Sequence, residues 1–170
     1  MAVNGKQKGN TYEREIAKTL SDLYGASFVR AAHSGAFIGG SNAYRKSVLS
    51  EGQIKSFKGD IIPPDEWKHF NCECKSYSDF GSHQLFTPDG SKVLDGWIDQ
   101  MMSVAEPGDC NILFMKFNRK GQYIAVLENE DWHLQNYVRY GSRYGSFIIT
   151  ELNSFLTLNS NLLKAYCTKV

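Results

Sequence analysis

The sequence predicts an α/β domain, on three observations. Segments whose apolar residues recur at helical spacing are interspersed with short runs of β character. No repeat, linker or low-complexity run divides the 170 residues. A hydrophobic content of 42% with 13% aromatics suits one compact domain with a real core.

Asn10 or Thr11 is placed to cap a first helix that runs to about Leu23 and ends at Tyr24-Gly25. Its apolar stripe is Ile16, Ala17, Leu20 and Leu23 or Tyr24. Counting back from Ile16 and Ala17 lands on Glu13, whereas Glu15 lines up with Lys18, Thr19 and Asp22 on the solvent side. Ala26 to Arg30 reads as a short strand. From Ala36 to Lys58 the periodicity fails; Gly39-Gly40-Ser41-Asn42 marks a loop, Arg45, Lys46, Lys55 and Lys58 make it basic, and Leu49 to Gln53 fits a helical turn. Irregular insertions of that length in compact domains are functional or disordered, and a basic one suits closure over DNA.

Two strands follow, Gly59 to Ile62 and Phe70 to Lys75, separated by Pro63-Pro64, which has no amide proton to give a ladder. Ser76 to Asp89 is a polar loop. Val93 to Ala105 is a helix with a core stripe of Leu94, Trp97, Ile98, Met101 and Met102, stopped by Pro107-Gly108. Asn111 to Phe117 and Gln122 to Leu127 form a hairpin across Asn118 to Gly121. Glu128 to Tyr137 is a short acidic helix or turn, Gly145 to Thr150 a strand, and Glu151 to Leu163 a last helix. Tyr137, Tyr140 and Tyr144, interleaved with Arg139 and Arg143, fit either base stacking or a tyrosine-rich hairpin packed on the sheet.

The chemistry concentrates between Gly59 and Lys75. Side chains alternate along a strand, so Glu73 and Lys75 share one face while Cys72 and Cys74 share the other. If the two strands are neighbours, Asp60 and Glu73 converge with Lys75 one pleat away. Two carboxylates ~4 Å apart repel by roughly 4 kcal/mol at an effective dielectric near 20, so a shared proton, the lysine or a divalent cation must compensate. Oxygen ligands at a partly hydrated site suit magnesium or manganese better than zinc, and such a cation beside a lysine fits phosphodiester cleavage. The same residues also fit a salt bridge across two strands. Glu13, a carboxylate on the core side of a helix, either joins this cluster as its third acid or is satisfied by Arg14 or Arg30.

Composition narrows the partners. Net charge is +1, but residues 1–75 carry 11 Lys+Arg against 8 Asp+Glu, and residues 76–170 carry 8 against 10. With Glu13, Asp60 and Glu73 set aside as ligands, the first segment offers +6, a local basic surface for salt-sensitive DNA binding. The four cysteines, 72, 74, 110 and 167, include no Cys-x-x-Cys pair and read as buried small hydrophobes, in keeping with a reducing cytoplasm. No apolar run approaches the roughly 20 residues that cross a bilayer, and Met1 to Lys8 has no signal-peptide core.

Lys8-Gly9-Asn10-Thr11-Tyr12-Glu13-Arg14-Glu15, Phe28-Val29-Arg30-Ala31-Ala32-His33-Ser34, Gly59-Asp60 and Glu73-Cys74-Lys75 together resemble the archaeal-type Holliday junction resolvases of the PD-(D/E)XK nuclease superfamily. The likeness covers roughly residues 8–35 and 59–127. It implies a restriction-endonuclease-like core with a central mixed β-sheet flanked by helices. It also implies a symmetric homodimer and magnesium-dependent cutting of four-way DNA, with manganese able to substitute. Carried over by position, Glu13, Asp60 and Glu73 bind metal, the backbone carbonyl of Cys74 adds a ligand, and Lys75 is the catalytic lysine. Arg30 and Ser34 lie near the scissile phosphate, and Lys8, Arg14, Arg45, Lys46, Lys55 and Lys58 complete the expected DNA-binding set. The chain departs from the family in the insertion at 36–58, an extension from about 128 to 170 and a lower charge, features that point toward a phage-encoded variant working in the host cytoplasm.

Three functions are thus in view: a metal-dependent, structure-selective endonuclease of resolvase type, a less selective nuclease acting on flaps, ends or duplex, and a DNA-binding module without turnover. A binder has no reason to gather repelling carboxylates, which favours the first two.

Overall fold

The computed structural model describes residues 5–32, 47–50, 53–54 and 57–169, with side chains from residue 9 onward. The elements run α1 (Gly5–Tyr24), β1 (Val29–Arg30), β2 (Ile61–Ile62), β3 (Phe70–Tyr77), a 3-10 turn (Ser82–Phe86), α2 (Lys92–Met102), β4 (Cys110–Phe117), β5 (Gly121–Leu127), β6 (Tyr137–Ser142), β7 (Gly145–Glu151) and α3 (Leu152–Thr168). The fold is α/β, as expected.

The central sheet has the strand order β3-β4-β5-β7-β6. β3 and β4 are parallel and every other neighbour pair is antiparallel. The parallel pair is joined through α2, because strands running in the same direction need a crossover and cannot be linked by a hairpin. Ser91 caps α2 by accepting from the Leu94 amide. Asn71 at the start of β3 donates to the Met101 carbonyl at 3.1 Å, which ties the last turn of α2 to the strand.

Each face of the sheet has its own core. Ile112, Phe114, Ile124, Val126 and Ile148 pack with Cys72 and Cys74 against Tyr12, Ile16, Ala17 and Leu20 of α1 and Phe155, Leu156 and Leu163 of α3. On the opposite face Leu113, Met115, Phe117, Ala125 and Ile149 meet Leu94, Trp97, Ile98 and Met101 of α2. Residues in register across β3 and β4 share a face, so the pairs Glu73–Leu113 and Lys75–Met115 put both charged side chains on the α2 side.

Several expectations are corrected here. α1 begins at Gly5, five residues before the expected cap, so Asn10 lies inside the helix. Glu15 does not stand on a solvent face: its carboxylate accepts from Lys116 at 2.6 Å and from Gln122 at 2.8 Å, fastening α1 to the β4–β5 hairpin. Of the two alternatives for Glu128 to Tyr137, the structure has the turn, which leads directly into β6. The segment from Glu128 onward supplies β6, β7 and α3, two of the five strands and one of the flanking helices, and is part of the same sheet. Tyr140 is 3% exposed, and its hydroxyl accepts from the Ser91 amide and donates to Asp95, so it belongs to the packed hairpin and cannot stack on a base. Arg139 and Arg143 are paired with Glu128 and Asp99.

All four cysteines are free thiols, Cys110 half-buried and the others buried. Among the described residues, no helix is long and apolar enough to cross a membrane. Most of the basic insertion, including Arg45, Lys46 and Lys55, lies outside the described residues, as do Ser34 and the side chain of Lys8.

Candidate active site at the free edge of the sheet

β3 is the edge strand of the five-stranded sheet, and its outer edge is where the charged residues meet. β2 approaches that edge through one backbone bond, from the Asp60 amide to the Cys72 carbonyl at 3.0 Å. The Asp60 carbonyl in turn accepts from Ala31 at 2.9 Å, continuing into the antiparallel β1–β2 pair. Asp60 is thus held by its backbone between two strands. Gly59 makes the approach possible: its φ is +74°, and a Cβ there would sit 2.5 Å from the Cys72 carbonyl oxygen, closer than any side-chain residue tolerates.

The Asp60 side chain curls back onto β3, where Oδ2 accepts from the Cys74 amide at 2.7 Å. An extended residue sends its N–H and C=O to the same edge, so the Cys74 carbonyl also projects toward Asp60. Asp60 and Glu73 are each 3% exposed and lie close enough for each charge to act on the other. Burial first, and then the neighbouring Glu73 carboxylate, push the Asp60 pKa up to about 7.

Glu73 is also raised by burial, opposed by the Lys75 ammonium. Lys75 Nζ lies 2.6 Å from Glu73 Oε1, and both contact Gln100 of α2: its Nε2 donates to Glu73 Oε1 at 2.7 Å and its Oε1 accepts from Lys75 at 2.8 Å. Gln100 was not singled out from the sequence. Its one signal is position, three residues after the buried Trp97 and beside Met101, on the flank of the α2 stripe that adjoins the strand.

Glu13 reaches the same edge from α1. Its carboxylate is engaged by Arg30 of β1, and Arg30 donates through its other arm to Asn10 at 2.7 Å. Asn10 and Glu13 are three apart on the helix and so form a two-point grip on one guanidinium. Burial raises the Glu13 pKa, the charge on Asp60 raises it further, and Arg30 and Lys75 oppose both. The three acids and the lysine therefore lie within mutual electrostatic reach. Of the remaining expected DNA contacts, Arg14 is exposed on α1. Lys58 is not available to a phosphate: its side chain is 7% exposed, and its ammonium is 2.6 Å from Asp109 and 3.4 Å from Glu106.

The donor set, oxygens only with two adjoining buried carboxyl groups, fits a hard divalent cation. Among the described residues no three His, Cys, Asp or Glu side chains already converge tightly enough to chelate one, since Glu13 is drawn to Arg30 and Glu73 to Lys75 and Gln100. A separate apolar cleft of about 620 Å³, walled by Phe80, Phe86, Phe117 and Tyr137, lies on the α2 side and includes none of these residues.

A family model described as "Phage putative PDDEXK endonuclease" matches residues 4–164. Protein D14 of Escherichia phage T5 is 27% identical over 140 residues, spanning 80% of this chain and 78% of that protein. No solved structure matches.

Proposed function

The chain belongs to the phage PD-(D/E)XK endonuclease family, and from that premise we propose that it is a magnesium-dependent endonuclease that cuts branched DNA, four-way junctions foremost. What supports the reading is the placing of Asp60, Glu73 and Lys75 at one open sheet edge, with Glu13 of α1 within electrostatic reach of them. The Asp60 and Glu73 carboxylates and the Cys74 carbonyl would hold the ion, with Glu13 as the outer acid. When bound, the ion supplies charge stabilisation at the scissile phosphate and activation of water.

The chain's own groups do the rest. Asp60 and Glu73, rigid through their backbone and side-chain bonds, keep their oxygens aimed at the edge without reorganisation at the moment of reaction. Lys75, fixed beside Glu73, places a cation where negative charge builds on the transferring phosphoryl group. Arg30, held between Asn10 and Glu13 and preceding Ser34 by four residues, orients the DNA backbone. Two such sites related by a twofold axis would make paired nicks in a junction of the same symmetry.

The test is incubation with synthetic four-way junctions, linear duplex and single strands, with magnesium and with EDTA. Preferential magnesium-dependent cutting of the junction, abolished by Asp60→Ala and Lys75→Ala, is expected. Equal rates on linear and branched DNA would leave a nuclease and remove the branch selectivity. The engagement of Glu13 by Arg30 favours one rival, a DNA-binding module without turnover; junction binding in magnesium with no product would establish that rival.

A further inference from the structure

We propose that Gln100 is a positioning residue that fixes the Lys75 ammonium against Glu73, an inference that rests on the nuclease reading and assigns a role to a residue of α2. The three side chains form a closed ring: Lys75 to Glu73 at 2.6 Å, Gln100 to Glu73 at 2.7 Å, and Lys75 to Gln100 at 2.8 Å. The Gln100 carboxamide completes it with a separate atom for each bond, Nε2 donating and Oε1 accepting. The position must donate to a carboxylate and accept from an ammonium at the same time; an acid cannot donate when ionised, and a lysine or arginine cannot accept.

The backbone of Gln100 is not free to wander. The next residue, Met101, is 1% exposed in the α2-side core, and its carbonyl receives the Asn71 side chain from the same strand that carries Glu73 and Lys75. Asn71 is itself fully buried and held by Asn111 at 2.7 Å. The helix end is thereby tied to β3, which sets the Gln100 side chain beside Lys75.

Both Gln100 and Lys75 engage the same Glu73 oxygen, Oε1. Oε2 stays outside the ring. The device holds the ammonium at the cluster without consuming the second carboxylate oxygen, which Glu73 must keep if it is to serve a cation as well as a lysine.

The test compares wild type with Gln100→Met, which keeps the length of the side chain and removes both bonds. Cleavage at saturating DNA should fall on the order of ten- to a hundredfold, the range for losing hydrogen bonds to charged groups, with KM and Tm unchanged. In parallel, acetylation of Lys75 by acetic anhydride, followed by mass spectrometry on metal-free protein, should rise severalfold once the ammonium is released. A loss confined to KM, an unchanged kcat, or an unchanged Lys75 reactivity would each overturn the proposal. If wild type cuts no DNA, the nuclease reading fails, and the Lys75 reactivity of Gln100→Met still decides whether Gln100 holds the lysine.

Discussion

Replacing Asp60 with asparagine should stabilise this protein at alkaline pH while destroying its proposed activity. Asp60 is buried against Glu73, and its pKa rises from 3.8 to about 7 on folding. The sign follows from proton binding. Between pH 4 and pH 7 the folded chain keeps a proton that the unfolded chain has lost, so wild-type stability falls with rising pH, by about 1.4 kcal/mol per pH unit. Across that window the loss is on the order of 4 kcal/mol, a large fraction of the total stability of a domain of this size. Asparagine has nothing to ionise, and its carboxamide oxygen can still accept from the Cys74 amide. Urea unfolding of both proteins in EDTA at pH 4.5, 6 and 8 should show the variant gaining on wild type as pH rises, by several kcal/mol at pH 8. A difference that is constant with pH, or one in which wild type gains on the variant, would refute the placement of Asp60 and Glu73 as a proton-sharing pair.

Manganese should raise the wild-type Tm at pH 8 by relieving the same repulsion, with stabilisation of about 2.7 kcal/mol at a hundredfold excess over Kd, and the rise should vanish in Asp60→Asn; differential scanning calorimetry reads it. Lys58→Met should cost up to about 3–5 kcal/mol in chemical denaturation because it removes the ammonium from Asp109, whose side chain is 2% exposed and keeps the Glu106 amide as a donor. Gly59→Ala should yield a poorly folded or inactive protein, checked by circular dichroism and cleavage, because the new methyl group meets the Cys72 backbone at 2.5 Å. Tyr140→Phe should destabilise by about 1–3 kcal/mol without altering cleavage, since its hydroxyl joins β6 to the start of α2 through Ser91 and Asp95.

How far the sequence could be read depended on whether a residue's role was set by its neighbours in the chain. The alternation that puts Glu73 and Lys75 on one face of a strand is a property of extended backbone, and it survives in β3. The stripe of Ile16, Ala17 and Leu20 is a property of helical pitch, and those residues are buried. Chain-neighbour logic failed for Glu15, which lies on α1 toward Lys18 and Asp22 but binds Lys116 and Gln122, about a hundred residues away in sequence. It failed again for Lys58, which a basic loop made look like a phosphate contact and which Asp109 holds in the interior.

By itself, then, the sequence determined which residue types could do phosphodiester chemistry and which of them share a strand face or a helix stripe, because pitch and pleat act over a few residues and need no partner. Only the tertiary structure decided that Asp60 lies against Glu73, that Arg30 takes Glu13, and that Gln100 closes a ring with Lys75. Those contacts join residues 13, 17 and 25 apart in the chain, and such distances are bridged by the packing of α1, α2 and β2 around the edge of β3, which no local pattern encodes.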